Sequence, residues 1–166
     1  NQRVWVAGAV VFLMIDTVGV NALSIYFRPA AAVLEDGAGI ARWISQQPGT
    51  FRVYSSGDDL PQQTAAYYGI EMINGVDPLQ LRTYTHAFEA ASGIPQARYD
   101  VVLPTGMIER RPDQANAPLL GRLNARYMIQ TSDVSVPGLE WRATFGKARI
   151  YENRLVQPRA WVEKSD

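Results

Sequence analysis

The stretch that decides the fold is LLGRLNARYMIQTSD, residues 119–133. Asn116 precedes it as an N-cap and Pro118 falls in the first turn, so a helix is predicted from there to about Asn124. The alternating run Arg126–Thr131 follows at once and predicts a strand. A helix that passes directly into a strand indicates that both kinds of element share one core.

The segments on either side extend this pattern into a sheet. Downstream, LEWRATFGKARIYENR (residues 139–154) alternates on both sides of Gly146, as an antiparallel hairpin does. Upstream, FRVYS (Phe51–Ser55) and IEMING (Ile70–Gly75) predict strands, and YDVVLP (residues 99–104) and RAWVEK (residues 159–164) predict two more. The predicted fold class is α/β or α+β, a small mixed sheet with an antiparallel C-terminal hairpin and flanking helices, preceded by a hydrophobic helix.

Two similar aspartate-proline patterns, DLPQ (residues 59–62) and DPLQ (residues 77–80), predict helix starts. In each, the aspartate can accept a hydrogen bond from the N–H of the glutamine three residues later. Asp59 is predicted to cap a short helix. Asp77 is predicted to cap a longer one, which ends at Gly93 and buries the stripe Leu81, Tyr84, Phe88 and Ala91. Asp77 is therefore interpreted as a helix cap, not as a catalytic acid or a metal ligand.

Residues 4–27 form an apolar run whose only charged residue is Asp16. About 20 apolar residues are enough for a helix to span a bilayer core. We therefore predict a transmembrane helix in residues 1–28 and a soluble extracytoplasmic domain in residues 29–166. The alternative is a buried helix of a soluble fold, which Asp16 supports because a carboxylate near a bilayer centre is costly. Because the sequence starts at Asn1 and not at a methionine, we expect it to be a piece of a longer protein.

The composition and the titratable residues exclude several kinds of chemistry. Lys plus Arg and Asp plus Glu each number 16, so the net charge of zero does not favour nucleic acid as a partner. The absence of cysteine excludes thiolate metal sites, and the single histidine, His86, is interpreted as a half-exposed helix residue. The acidic pairs at 35–36 and 58–59 and the arginine pair at 110–111 are interpreted as junctions, caps and solvated charges. We predict no catalytic residue, no metal and no cofactor.

Three stretches, read in order, carry a resemblance to a known family: YYGIEMINGVDPLQLRTY, LLGRLNARYMIQTSD and PGLEWRATFGKARIYENRLVQPRAWV. They contain a Tyr-Gly strand leading to Gly-x-Asp-Pro, a Leu-Leu-Gly-x-x-Asn-x-x-Tyr unit and a Tyr-Glu-Asn…Pro-Arg-Ala ending. In this the chain resembles the C-terminal extracytoplasmic region of the bacterial YfhO-like membrane proteins, of the glycosyltransferase C-type superfamily. One departure is Arg154, where that family often has proline.

The resemblance implies a function that the residues of this chain do not indicate by themselves. It implies an accessory extracytoplasmic domain of a polytopic membrane glycosyltransferase that uses a polyprenyl-phosphate sugar donor, with the catalytic site elsewhere and this fragment inactive alone. It places the protein in the cell membrane, with other membrane helices of the parent protein and a polyprenyl-phosphate sugar or a cell-envelope polymer as partners. The alternative is a non-catalytic interaction or glycan-binding module of a membrane protein.

Candidate ligand contacts lie around the Gly-x-Asp-Pro turn. Ligand sites combine apolar and aromatic side chains with a few placed polar groups. Tyr68, Asn74, Arg82 and Tyr84 are therefore the predicted ligand-binding residues. The alternative is that the tyrosines pack in the core or at an interface.

Overall fold

A computed structural model of the chain describes residues 2–24, 28–57, 59–76, 79, 81–94, 102–103 and 114–160. The chain divides into two compact units, Asn1–Val33 and Leu34–Asp166. The first unit contains the helix α1 (Gln2–Ser24), and a short helix, α2 (Ala30–Glu35), crosses the boundary.

The helix α1 is apolar along most of its length. The 18 residues Gln2–Gly19 have a mean hydropathy of 1.3, and none of them is buried within the structure. This length and composition are sufficient for a helix to cross a membrane. The predicted hydrophobic N-terminal helix is therefore confirmed, while residues 25–27 at its predicted end lie outside the described residues.

The described residues of the second unit form seven strands: β1 (Arg52–Ser55), β2 (Glu71–Met72), β3 (Gly75–Val76), β4 (Val102–Leu103), β5 (Ala125–Gln130), β6 (Leu139–Phe145) and β7 (Ala148–Asn153). Five of them form one sheet in the order β2-β1-β5-β7-β6, and β3 pairs with β4. The strands β2, β1 and β5 are parallel, whereas β7 pairs antiparallel with both β5 and β6. The predicted mixed sheet and its C-terminal hairpin are confirmed.

Helices cover both faces of the sheet. On one face, α3 (Ala38–Ser45) and α4 (Gln62–Tyr67) place Ile40, Ile44 and Ala65 in one core with Val53 of β1. On the other face, α5 (Arg82–Ser92) and α6 (Ala117–Arg122) form a second core with the neighbouring residue of β1, Tyr54. Successive strand residues point to opposite faces, so the two cores lie on either side of a three-layered structure.

The junction between α6 and β5 follows the sequence closely. The Asn116 side chain accepts a hydrogen bond from the Leu119 N–H at 3.0 Å, which confirms the predicted cap. Asn124 has a φ of 61°, and its N–H donates to the Gly121 carbonyl at 2.9 Å. Asparagine tolerates this left-handed conformation better than most residues. The chain can therefore leave the helix and enter the central strand with only two residues between them, Leu123 and Asn124.

The predicted cap of α4 is wrong. The N-cap is Pro61, with ψ at 142° and no capping side chain of its own, so the helix does not start at Asp59. Leu60 is buried in the core, and a Cβ built on Gly37 would lie 2.8 Å from the Asp59 carbonyl oxygen. The tight packing of this loop on Gly37 holds residues 59–61 out of the helix and overrides the local capping pattern.

The helix α5 also starts later than predicted. Its N-cap is Leu81, in an extended conformation without a side-chain cap, and Asp77, Pro78 and Gln80 lie outside the described residues. Leu81 is exposed, so the buried stripe begins with the partly buried Tyr84 and continues through Phe88. The predicted end is confirmed, because Gly93 caps the helix with a φ of 71°.

Three smaller strand predictions have different outcomes. The predicted run at residues 70–75 is divided into β2 and the first residue of β3. The strand predicted within residues 99–104 is confirmed as β4. In the strand predicted at residues 159–164, Arg159 and Ala160 form a bend, and the rest lies outside the described residues.

Candidate functional site

A pocket of about 210 Å³ opens at the amino ends of β1 and β2. Its walls are the loop from α3 to β1 and the loop from α4 to β2. Phe51 and Tyr68 contribute aromatic rings, while Gln47, Thr50 and Glu71 contribute polar groups. An aromatic wall beside an amide, a hydroxyl and a carboxylate is a surface on which a polar ring-shaped ligand can bind.

The backbone around the pocket depends on two glycines. Gly49 and Gly69 precede the two strands with φ values of 96° and 68°, in the left-handed region where side chains other than glycine are strained. The parallel register then sets Arg52 opposite Glu71. Parallel pairing thus brings two loops that are distant in sequence to the same end of the sheet, at the amino ends of β1 and β2.

Glu71 forms the charged rim of the pocket. Arg52 donates to its Oε2 at 3.5 Å, and Arg159 donates to Oε1 at 2.9 Å and also to Oε2. The Arg159 hydrogen bonds hold the pKa of Glu71 below its ordinary value, against the opposing effect of desolvation. The carboxylate is therefore charged at neutral pH and shared between two guanidinium groups.

Arg159 reaches this rim because the chain after β7 runs back across the amino ends of the parallel strands. We call residues 154–160 the C-terminal strap. The Gln157 N–H donates to the Gly121 carbonyl at 3.0 Å, and the Gln157 carbonyl accepts from Asn124 Nδ2 at 2.8 Å. A Cβ on Gly121 would lie only 2.1 Å from the Leu155 carbonyl oxygen. A glycine at position 121 is thus required for the strap to lie this close.

A second carboxylate, Glu152, lies beyond the pocket at the same end of the sheet. Arg126 donates to its Oε1 at 3.0 and 3.1 Å, Arg142 donates to Oε2 at 2.7 Å, and Arg154 lies 3.2 Å away. Burial raises the pKa of Glu152, but the hydrogen bonds from Arg126 and Arg142 outweigh this effect and lower it overall. Glu152 is therefore a charged, mostly buried carboxylate that is surrounded by three arginines.

Two β-bulges create this arrangement. Between β1 and β5 the register skips Arg126, and between β6 and β7 it skips Arg142. A bulge inserts one extra residue and re-aims its side chain. Each bulge adds an arginine, and both arginines bind the same carboxylate on β7 from its two sides.

Arg126 also connects Glu152 to the pocket wall. Its Nη1 donates to the Pro48 carbonyl at 2.7 Å, and its guanidinium lies 5.5 Å from the ring centre of Phe51. Phe51 in turn packs edge-to-face on Tyr127 at 5.2 Å. The loop before β1 is thus held by a hydrogen bond and a cation–π contact from the buried cluster.

The predicted ligand-binding residues lie at different ends of β2. Tyr68 precedes the strand and lines the pocket. Asn74 follows it, and its side chain bonds both backbone groups of Ser55, at 3.1 and 2.8 Å. The Asn74 side chain thereby bonds β1 two residues beyond the last pair of the β1–β2 register, Val53 and Met72.

Tyr84 and Arg82 lie on α5, beyond the end of β2 that is opposite the pocket. The Tyr84 hydroxyl donates to the Ile73 carbonyl at 2.6 Å, and burial raises the pKa of this phenol. Arg82 is at the helix surface, with its Nε 3.3 Å from His86 Nε2. Among the four predicted residues, the structure brings Asn74 and Tyr84 together around residues 73–74 and separates them from Tyr68.

The carboxyl ends of β1 and β5, where ligands of parallel sheets commonly bind, are filled by buried polar side chains. Ser56 donates to Gln130 Oε1, and both residues are only 1% exposed. Within the described residues, Gln130 Nε2 has no hydrogen-bond partner. The open pocket lies at the other, amino end of these strands.

The remaining chemical candidates add no reactive centre. His86 is largely exposed, 3.1 Å from Glu89 Oε2. The part of the chain that the structure describes contains no group of three potential metal ligands. Asp58, Arg110 and Arg111 lie outside that part.

Sequence reasoning missed the pocket and the Glu152 cluster. One signal was available for the pocket, since each of the two strands follows a glycine preceded by a helical segment. Recognising β1-α4-β2 as a parallel unit would have placed those two loops side by side. The bulges at Arg126 and Arg142 leave no comparable pattern.

The chain was compared with protein-family models, curated proteins and solved structures, and none of them matches it. The resemblance to the YfhO-like family therefore stays a prediction from the sequence motifs.

Proposed function

We propose that this chain is a membrane-anchored accessory domain of a polytopic glycosyltransferase that uses a polyprenyl-phosphate sugar donor. In this proposal its soluble part faces the extracytoplasmic side, and the amino-end pocket binds a saccharide of the acceptor or donor. The catalytic site belongs to another part of the parent protein. The three ordered sequence motifs and the apolar helix α1 support the membrane context.

The observation that carries the saccharide proposal is the chemistry of the pocket. Sugar rings present apolar C–H faces that pack on aromatic rings, and their hydroxyls form hydrogen bonds with amides and carboxylates. Tyr68 and Phe51 supply the rings, and Gln47 and Glu71 supply polar oxygens. Tyr68 is only partly buried, so its ring is accessible to a ligand.

The test is an NMR titration of the full chain in detergent micelles. The probes are methyl glycosides of glucose, galactose, mannose and N-acetylglucosamine, and undecaprenyl phosphate carrying one sugar. We expect at least one probe to shift the amide signals of Gln47, Tyr68 and Glu71. Replacing Tyr68 with alanine should weaken that binding about tenfold, the loss of one stacked aromatic contact.

Tyr67→Phe is the matched control. Tyr67 is 69% exposed and does not line the pocket, and its ring packs edge-to-face on Tyr68 at 5.3 Å, a contact that phenylalanine keeps. This variant should bind within about twofold of the parent chain. The saccharide proposal fails if none of the probes shifts the pocket signals, or if the two tyrosine variants lose binding equally.

A second candidate is a non-catalytic interaction module, which one observation favours. Trp141 is 60% exposed on β6, at the edge of the five-stranded sheet. Exposed edge strands can accept a partner strand, and tryptophan is common at interfaces. Cross-linking in the parent membrane from position 144, an exposed residue of the same strand, distinguishes the two candidates. If the chain is an interaction module, a partner protein is cross-linked and its capture is lost in Trp141→Ala. If the chain is an accessory glycosyltransferase domain, the pocket binds a saccharide and Trp141→Ala leaves this binding intact.

The full parent gene supplies an independent test of the enzyme context. Ten or more hydrophobic spans upstream, with an aspartate or glutamate in the first outer loop, would support a C-type glycosyltransferase. A parent with a short upstream region would contradict it and leave the interaction module.

A further inference from the structure

The rim of the pocket carries more positive than negative charge. Among the described residues, the Glu71 carboxylate there is bonded by two guanidinium groups, those of Arg52 and Arg159. Across the two arginine-glutamate clusters at this end of the sheet, five arginines (Arg52, Arg126, Arg142, Arg154 and Arg159) meet three glutamates (Glu71, Glu140 and Glu152). The two clusters together therefore have an excess of positive charge beside the pocket.

The ion pairs at the rim are exchangeable. The Glu71 side chain is 50% exposed, and those of Arg52 and Arg159 are 33% and 43% exposed. Ion pairs at this exposure contribute little to stability, because water and salt compete for both partners. A ligand anion can therefore displace Glu71 from the guanidinium groups at little cost.

The guanidinium groups are also suitable for an anion. Arginine forms paired, parallel hydrogen bonds with carboxylates and phosphates, and Arg159 already contacts both oxygens of Glu71 in this way. Glu71 itself lines the pocket. An anionic group in the position of the Glu71 carboxylate would thus be attached to a ligand whose ring lies toward Tyr68.

We propose that the rim is an anion-recognition subsite, in which Arg52 and Arg159 bind a phosphate or carboxylate carried by the saccharide in the pocket. Glu71 occupies the same guanidinium groups in the absence of ligand and acts as an internal competitor. This inference rests on the proposed saccharide binding and specifies its substrate class as acidic saccharides.

The experiment compares three forms of the methyl glycoside that binds in the titration above: the neutral sugar, its uronic acid and its 6-phosphate. We expect both anionic forms to bind about tenfold more tightly than the neutral one at low salt. Their advantage should diminish as the salt concentration rises, because the ion pairs are partly exposed. The relative affinities of the uronic acid and the phosphate then tell which anion the rim prefers.

Glu71→Gln gives the sharpest test, because it predicts a gain. Removal of the competing carboxylate should raise the affinity for the anionic sugars about threefold or more relative to the neutral sugar measured with the same variant. A purely structural Glu71 would instead produce weaker binding of all three. Arg159→Gln should abolish the anionic advantage, and Arg159→Lys should restore part of it.

Arg154→Gln is the matched control, since Arg154 is 49% exposed and binds the other carboxylate cluster. It should leave all three affinities within about twofold. Equal affinity for neutral and anionic forms, or loss of anion binding in Glu71→Gln, would overturn the subsite and leave saccharide binding standing. Failure of all three forms to bind would overturn both proposals.

Discussion

Two carboxylates at the same end of the sheet, Glu152 and Glu71, have the same kind of partner and opposite surroundings. The Glu152 side chain is 10% exposed and binds three arginines, two of which come from β-bulges. The Glu71 side chain is 50% exposed and binds two arginines at the rim of a pocket. The comparison teaches that burial, more than the number of charged partners, separates an ion pair that holds a fold from one that is free to exchange with a ligand.

The largest effect that tests this comparison is on stability. Glu152→Gln leaves three guanidinium groups without their mostly buried counter-charge, so we expect the free energy of unfolding to fall by about 3 kcal/mol. The paired variant Glu71→Gln should cost less than about 1 kcal/mol, because its partners remain hydrated. Urea unfolding followed by circular dichroism measures both. Equal losses in the two variants would remove the distinction between the clusters.

The strap that carries Arg159 to Glu71 provides the next test. Gly121→Ala would place a methyl group against the Leu155 carbonyl, so we expect a loss of about 2 kcal/mol from overpacking. The displaced strap should also separate Arg159 from Glu71, which the side-chain NMR signals of arginine report. Gly8→Ala is the control, because a Cβ at this position of α1 has nothing within 4 Å. It should leave the stability of the second unit and the contact of Arg159 with Glu71 unchanged. An unaltered Gly121→Ala protein would show that the strap does not pack on α6.

Acid titration sharpens the comparison further. The pKa of Glu152 lies below its ordinary value of 4.5, since the arginine hydrogen bonds outweigh burial. Its stabilising contribution is therefore complete above the unfolded pKa and is lost as the pH falls through the folded one. We expect the stability difference between the parent chain and Glu152→Gln to be constant from pH 8 to about pH 6 and to shrink steadily below about pH 4.5. A difference that grows on acidification would contradict this sign.

The smallest stability effects belong to the exposed arginines. Arg154→Gln should leave the midpoint of unfolding unchanged within error, and Arg159→Gln should cost less than about 1 kcal/mol, because both side chains are about half exposed. Thermal unfolding at matched ionic strength is the measurement. If Arg159→Gln alone were strongly destabilising, the ion pair of Arg159 with Glu71 would be required for the fold. The proposed exchange of Glu71 for a ligand anion would then lose its basis.

Local signals predicted much of the fold. The Asn116 cap, the left-handed Gly93 and the hairpin turn at Gly146 each depend on residues within a few positions, and all three occur in the structure. The alternation within residues 139–154 is local in the same sense. Such features can be read from one sequence because their energies come from neighbours along the chain.

Features that depend on distant contacts were not predictable. Asp59 has a good capping pattern, yet the burial of Leu60 and the packing of its loop on Gly37 move the helix start to residue 62. The pocket requires Phe51 and Tyr68 to meet through parallel pairing, and that pairing is not encoded by either residue alone. Tyr68 was therefore among the predicted ligand-binding residues, whereas the other walls of the pocket were not predicted.

The strand order has a consequence for how the protein is made. The central strand β5 lies between β1, which is synthesised before it, and β7, which is the last of the sheet's described strands to be synthesised. A ribosome releases the chain from its N-terminus onward. Until residue 153 has emerged from the exit tunnel, β5 has one unpaired edge, Arg126 lacks Glu152, and the nascent sheet presents hydrogen-bonding groups to any neighbouring chain.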